Sequence, residues 1–325
     1  MSYKRKNLED RITEALKNCA SSFLHPGSGR WELSLANGKE LPVTMRLAED
    51  WLLFDAPVSD RLAREDLWRV LRLNATLSGF CKLSLLPPAT RDLAPRRSVH
   101  LRAEVPLRDE EAGVDAHDTF DGNLEAALSE TCANLKAAYG LFCGEEPAPA
   151  LTAPALTTAQ VSIRQFGESE DCAEALRRVC AELEWPVIER TTGRFMFELE
   201  VRDNFQQAVA EQQNAGARLS IEISRFDDLA PISRQALSAL LLITGAHVRL
   251  ARPSVDENAT AGFEVTFGTL PTVSEFKHAL SSLSVASATC AREAVVLRNE
   301  HIARQYLAYT GLAEGTANLS FASCQ

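Results

Sequence analysis

A chain of 325 residues with 46% apolar and 24% charged side chains is long enough for two globular cores and too apolar to be disordered. Its 34 Lys and Arg against 44 Asp and Glu leave a net charge of −10. Both halves share the excess: 19 basic against 23 acidic residues up to position 160 (net −4), and 15 against 21 beyond it (net −6). Neither half is a basic module that tracks phosphates, so nucleic acid is not an expected partner; nor is a membrane, because no apolar run reaches the ~20 residues that span a bilayer.

The opening segment, Met1 to Leu16, is charged and helix-periodic and lacks the apolar core of a secretory signal. The eight cysteines (Cys19, Cys81, Cys132, Cys143, Cys172, Cys180, Cys290 and Cys324) include no C-x-x-C pair, and most fall inside apolar patterns, where a thiol behaves as a small hydrophobe. A cytoplasmic protein with reduced thiols is expected, in which the sequons at Asn258 and Asn318 stay unmodified.

Leu8, Ile12, Leu16 and Cys19 place four apolar groups on one face of a first helix. Gly27-Ser28-Gly29 is too short to cradle a phosphate and reads as a turn. Gly29-Arg30-Trp31 then opens a strand in which Trp31, Leu33 and Leu35 alternate with Glu32 and Ser34. Strands over Leu41 to Met45 and Trp51 to Phe54 flank Ala48-Glu49-Asp50. A second helix carries Leu67, Val70, Leu71, Leu73 and Leu77 and stops at Gly79. Strands over Cys81 to Leu85 and Val99 to Val105 follow, separated by the loop Pro87 to Ser98, whose Arg96 and Arg97 read as a solvated pair. A helix over Phe120 to Phe142 closes the first half. Just before it, Asp115, His117, Asp118 and Asp121 are metal-type donors, but Asp residues ahead of a helix more simply cap it and complement its dipole.

The pattern then returns 164 residues further on. Cys172, Leu176, Cys180 and Leu183 repeat the helix stripe, which assigns Cys172 and Cys180 to core packing. Gly193-Arg194-Phe195 repeats the strand opening, with Phe195, Phe197 and Leu199 alternating with Met196 and Glu198. Strands over Ala208 to Glu211 and Leu219 to Ile223 flank Asn214-Ala215-Gly216. A second helix with Leu237, Leu240, Leu241 and Ile243 is expected to stop at Gly245. Strands over Val248 to Ala251 and Phe263 to Phe267, split by the loop Pro253 to Gly262, precede a long closing helix over Val273 to Tyr309.

Each half therefore reads α-β-β-β-α-β-β-α, an α+β module with an antiparallel sheet of about five strands and helices on one face. The domain organisation that follows is a first module over 1–143, a linker rich in Pro, Ala and Thr over 144–160, a second module over 161–310 and a flexible tail over 311–325. No G-x-S-x-G or Walker pattern is present, and Glu300-His301 lacks the second His of a zinc-protease helix. No enzyme activity, metal or cofactor is expected.

The element order, the acidic balance and the helix between the third and fourth strands resemble the class I type III secretion chaperones, small acidic proteins that escort secreted effectors. The resemblance covers residues of about 5–142 and 165–309. It implies a dimer-like contact through the middle helices. In this chain that places a module–module interface at Leu67, Val70, Leu71, Leu73 and Leu77, and at Leu237, Leu240, Leu241 and Ile243. Tethered in one polypeptide, two such modules form an intrachain pseudo-dimer, and the chain is expected to be a monomer. The function expected is reversible, non-catalytic, chaperone-like binding of a protein or peptide partner. The alternatives are a small-ligand sensor or degenerate enzyme with a pocket between modules, and a structural subunit of a larger assembly.

Overall fold

The structure, a computed structural model, describes residues 3–37, 39–49, 51–59, 62–87, 97–107, 117–143, 172–183, 186–201, 204–213, 216–268, 271, 273–310 and 312. The expected linker over 144–160 lies outside the described residues, as does the expected tail except for Leu312, which is buried.

The described residues build seven helices and two six-stranded antiparallel sheets. The first half runs α1 (Tyr3–Cys19), β1 (Ser22–Gly27), β2 (Arg30–Asn37), β3 (Lys39–Ala48), β4 (Trp51–Ser59), a 3-10 turn (Arg64–Asp66), α2 (Leu67–Asn74), β5 (Cys81–Leu86), β6 (Ser98–Pro106) and α3 (His117–Phe142). The second half runs α4 (Cys172–Ala181), β7 (Val187–Thr191), β8 (Arg194–Val201), β9 (Asn204–Gln213), β10 (Gly216–Arg225), a 3-10 turn (Phe226–Asp228), α5 (Pro231–His247), β11 (Arg252–Val255), β12 (Thr260–Phe267), α6 (Val273–Val296) and α7 (Glu300–Tyr309). Strand order is β1-β2-β3-β4-β6-β5 in one sheet and β7-β8-β9-β10-β12-β11 in the other, the same topology twice.

The Gly-Arg-aromatic motif shows why the repeat is legible. Gly29 (φ +68°) and Gly193 (φ +74°) take the left-handed conformation that closes the β1–β2 and β7–β8 hairpins. The carbonyl of each accepts a hydrogen bond from one strand further on, Gly29 O from Leu47 N–H at 2.7 Å and Gly193 O from Gln212 N–H at 2.9 Å. The aromatic residues two places later, Trp31 and Phe195, are fully buried. Trp31 satisfies its indole N–H on Thr13 Oγ1 at 3.1 Å, and its ring stacks on His25 with centroids 4.8 Å apart.

Five expectations need correction. The second helix, expected to carry Leu77 and to stop at Gly79, ends at Asn74, so Leu77 lies beyond α2. Each sheet has six strands, because β1 and β7 were missed; their sequences SFLHPG and VIERT leave almost every side chain exposed, so no apolar alternation marks them. The order is therefore α-β-β-β-β-α-β-β-α. Gly245 does not end a helix: α5 runs on to His247, and the glycine instead lets β11 approach, since a Cβ there would stand 2.6 Å from Pro253 Cδ. The strand expected over Val248 to Ala251 lies at Arg252–Val255, so Pro253 belongs to an edge strand, where its missing N–H costs no ladder bond. The helix over Val273 to Tyr309 is broken after Val296, where Asn299 Oδ1 accepts from the N–H groups of His301 and Ile302 and starts α7.

Among the described residues, 3–58 and 101–143 form one compact unit, and 59–100 and 172–312 form the other. In the first, α1 packs on α3 and α3 on β2, over a core containing Ile12, Leu16, Trp31, Leu35, Phe54 and Leu128. In the second, α6 lies across β8, β10 and β12 above Phe197, Leu219 and Phe263, its own Phe276 meeting Phe197 with ring centroids 5.6 Å apart, while α5 packs on α6 and α7. Residues 59–100, which contain α2 and β5, thus cluster with elements of the second half.

Gly245→Ala drives its new methyl into Pro253 and is expected to cost about 1–3 kcal/mol in urea unfolding. Gly27→Ala, with open space around its Cβ, is expected to change stability by less than about 0.5 kcal/mol.

Candidate functional site

In the larger unit, α2 packs against α5 and β11, and α5 packs against β5. Of the residues expected at this contact, Leu67, Val70, Leu71 and Leu77 on the α2 side and Leu237, Leu240 and Leu241 on α5 are buried, while Leu73 and Ile243 are half-buried. The apolar face accounts for only part of the contact. A buried polar network runs through it.

Arg252 of β11 is almost wholly buried. Its Nε donates to Glu264 Oε1 at 3.0 Å and its Nη2 to Thr266 Oγ1 at 2.8 Å. Its Nη1 donates to the carbonyls of Leu77 (2.7 Å), Cys81 (3.2 Å) and Gly79 (3.3 Å), which follow α2. Thr266 Oγ1 donates in turn to Gly79 O at 3.1 Å, and Arg218 Nε donates to Glu264 Oε2 at 2.8 Å. Lys82 of β5 is the counterpart: fully buried, it donates from Nζ to Val248 O, the residue following α5, at 2.7 Å. The edge-strand cation of each half therefore reaches carbonyls just past the middle helix of the other. Asn74 adds a third tie. Its Nδ2 donates to Leu83 O (2.9 Å) and Pro253 O (2.8 Å), and its Oδ1 accepts from Leu83 N–H (2.7 Å). Buried charges are tolerated where they are matched this fully.

The same unit holds a cleft of about 390 Å³. Its walls come from the first 3-10 turn and α2 (Arg64, Trp68, Arg72), from the second 3-10 turn and α5 (Phe226, Arg234), and from the β11–β12 turn. Trp68 is 41% exposed, with the guanidinium carbons of Arg69 and Arg72 each 5.9 Å from its ring. Arg64 is buried and turned away to α7: its Nε donates to Leu312 O and its Nη2 to Leu307 O, both at 3.2 Å. Burial raises the Asp66 carboxyl above the ordinary range; the nearby Arg69, which donates to it at 2.9 Å, opposes the shift, and Glu65 adds to it.

Most of the other sequence candidates fall outside the described residues. Asp115 and Arg96 lie outside the described residues, as do the side chains of His117, Asp118, Asp121 and Cys172. Arg97 is half-buried, and Glu300 and His301 stand exposed at the start of α7. Among the described residues no group of three or more His, Cys, Asp or Glu side chains is placed to hold a metal ion. Burial pushes the thiols of Cys132, Cys180 and Cys290 up from 9.0 to about 12, so they are poor nucleophiles near neutrality. No described helix is long and apolar enough to cross a membrane.

Sequence reasoning missed Asn74, Lys82, Arg252 and Glu264. The available signal was a charged residue inside an apolar strand, as in C-K-L-S-L-L and G-F-E-V-T-F, which period-two reading assigns to a solvent face. No family model, curated protein or solved structure matches the chain.

Arg252→Ala strips the three carbonyls and half of the Glu264 pairing at once and is expected to destabilise the protein by about 3–5 kcal/mol in urea unfolding. The three buried thiols ionise more easily when unfolded, so the stability they contribute is complete below pH 9.0 and is lost as pH rises toward about 12. Urea midpoints are expected to fall between pH 8 and 10.5, and less steeply in a Cys132→Ala variant.

Proposed function

We propose that this chain is a non-catalytic, chaperone-like protein that reversibly binds a protein or peptide segment, with two modules of the class I type III secretion chaperone kind paired within one polypeptide. The observation that carries the reading is the reciprocal tie in the larger unit. Arg252 reaches the carbonyls after α2, and Lys82 reaches the carbonyl after α5, as subunits of a two-fold dimer reach into one another. Tethering makes that pairing intramolecular, so a monomer in the cytoplasm is the expected form.

The sheet edges support a binding role. At one end of each sheet, β5 and β11 are buried; at the other, β1 and β7 are exposed, with Leu24 68% and Ile188 49% accessible. Exposed edge strands offer unpaired backbone groups to which an extended peptide adds as a further strand, with neighbouring side chains supplying selectivity.

Size-exclusion chromatography with light scattering is expected to give 35.6 kDa, and pull-down from native cytosol with mass spectrometry is expected to recover a protein partner. A folded bait that captures nothing reproducibly, yet is stabilised in a thermal-shift screen by a metabolite, overturns the reading in favour of a small-ligand sensor.

A further inference from the structure

The chain leaves α7 beside the cleft between α2 and α5. Thr310, the residue after α7, and Leu312 are both buried. The Leu312 carbonyl accepts from Arg64 Nε at 3.2 Å, and Leu307 O accepts from Nη2 of the same guanidinium at 3.2 Å. Arg64 is also part of the cleft wall. One side chain therefore fixes the last described residue and lines the hollow next to it. Residues 313–325, with the sequence AEGTANLSFASCQ, continue from that point.

At about 390 Å³ the hollow has room for one or two side chains and not for a folded surface. Phe226 and Val255 are buried in its wall, and Trp68 is 41% exposed at its opening. Around them the charges nearly cancel, because Arg64, Arg72 and Arg234 stand among four carboxylates. Such a lining favours neither a cationic nor an anionic segment, so the occupant is chosen by apolar fit and by position. The stretch after Leu312 meets both conditions. Its only charged side chain is Glu314, and its first large apolar side chain is Leu319. Extended, the seven residues from Ala313 to Leu319 reach up to about 23 Å, and they start at a residue that the cleft wall itself holds. Tethering keeps Leu319 at an effective concentration of about millimolar, so a contact too weak to retain a free peptide is still made.

We infer that the cleft formed by α2, α5 and the β11–β12 turn is the seat of the chain's own residues 313–319, with Leu319 placed over Phe226 and Val255 and covering the Trp68 ring. This goes beyond the protein-binding reading above and does not depend on it. The occupant belongs to the chain, and a partner that uses the cleft has to displace it.

The test uses the full chain, ¹⁵N-labelled and ¹³C-methyl-labelled at leucine. The Trp68 indole signal is assigned through Trp68→Phe and the Leu319 methyl signals through Leu319→Met. Nuclear Overhauser contacts between the Leu319 methyls and the Trp68 ring are expected. Leu319→Ser is expected to shift the Trp68 indole signal while leaving that of the buried Trp31 in place, and Leu319→Met to keep Trp68 near its wild-type position. A synthetic peptide of residues 313–325 is expected to bind the Leu319→Ser chain at least about tenfold more tightly than the wild-type chain, in which the tethered copy competes. No contact between Leu319 and Trp68, a Trp68 signal indifferent to Leu319→Ser, or equal peptide affinity for the two chains overturns the assignment. So does a contact that strengthens with protein concentration, which gives the cleft to the same segment of a second copy.

Discussion

A guanidinium buried in a strand is stable only where its donors find acceptors, and Arg252 finds three of them on a segment more than 170 residues earlier in the chain. That requirement ties residues 77–81 to β11 and β12. The return tie, Lys82 to Val248 O, applies the same condition in the opposite direction. Neither cation can be withdrawn to water without exposing an edge strand, because β5 and β11 are buried along their length. The middle of the chain is therefore specified by polar matching as much as by apolar burial. Leucine faces on α2 and α5 tolerate sliding; a guanidinium matched to three carbonyls and a carboxylate does not.

The two copies keep their scaffold and differ at their ends. The hairpin glycines, the buried aromatic residue after each, and the strand order are held in common. The middle helices are not: α2 has 8 residues and α5 has 17. The longer helix gives α7 a surface to pack on, and Arg64 holds the end of α7. The C-terminal helix that exceeds the module pattern thus has a structural task. The asymmetry also shapes the cleft, whose rim draws on the β11–β12 turn and whose Trp68 comes from the shorter helix.

Much of the fold could be read from local chemistry. The apolar stripes of α1 and α4 and the alternation of Trp31, Leu33 and Leu35 or of Phe195, Phe197 and Leu199 report a one-sided burial that side-chain period alone dictates. The leucines of α2 and α5 were found for the same reason. The elements missed are those for which periodicity carries no information. Strands β1 and β7 have no buried face, β11 and β5 are buried on both, and Gly245 signals a helix stop in sequence while serving a close approach to Pro253 in space.

The sequence by itself determined that one packing solution is encoded twice, because repeated apolar periods and left-handed glycines act over a few residues and need no knowledge of the rest of the chain. Tertiary structure alone decided that Asn74, Lys82 and Arg252 are interior, and that α2 and β5 cluster with the second half. It also decided that Glu65, Asp227 and Glu257 surround one hollow. A charged residue looks the same in sequence whether it faces water or a matched set of buried carbonyls. Only the three-dimensional partner distinguishes them, and here that partner lies in the other half of the chain.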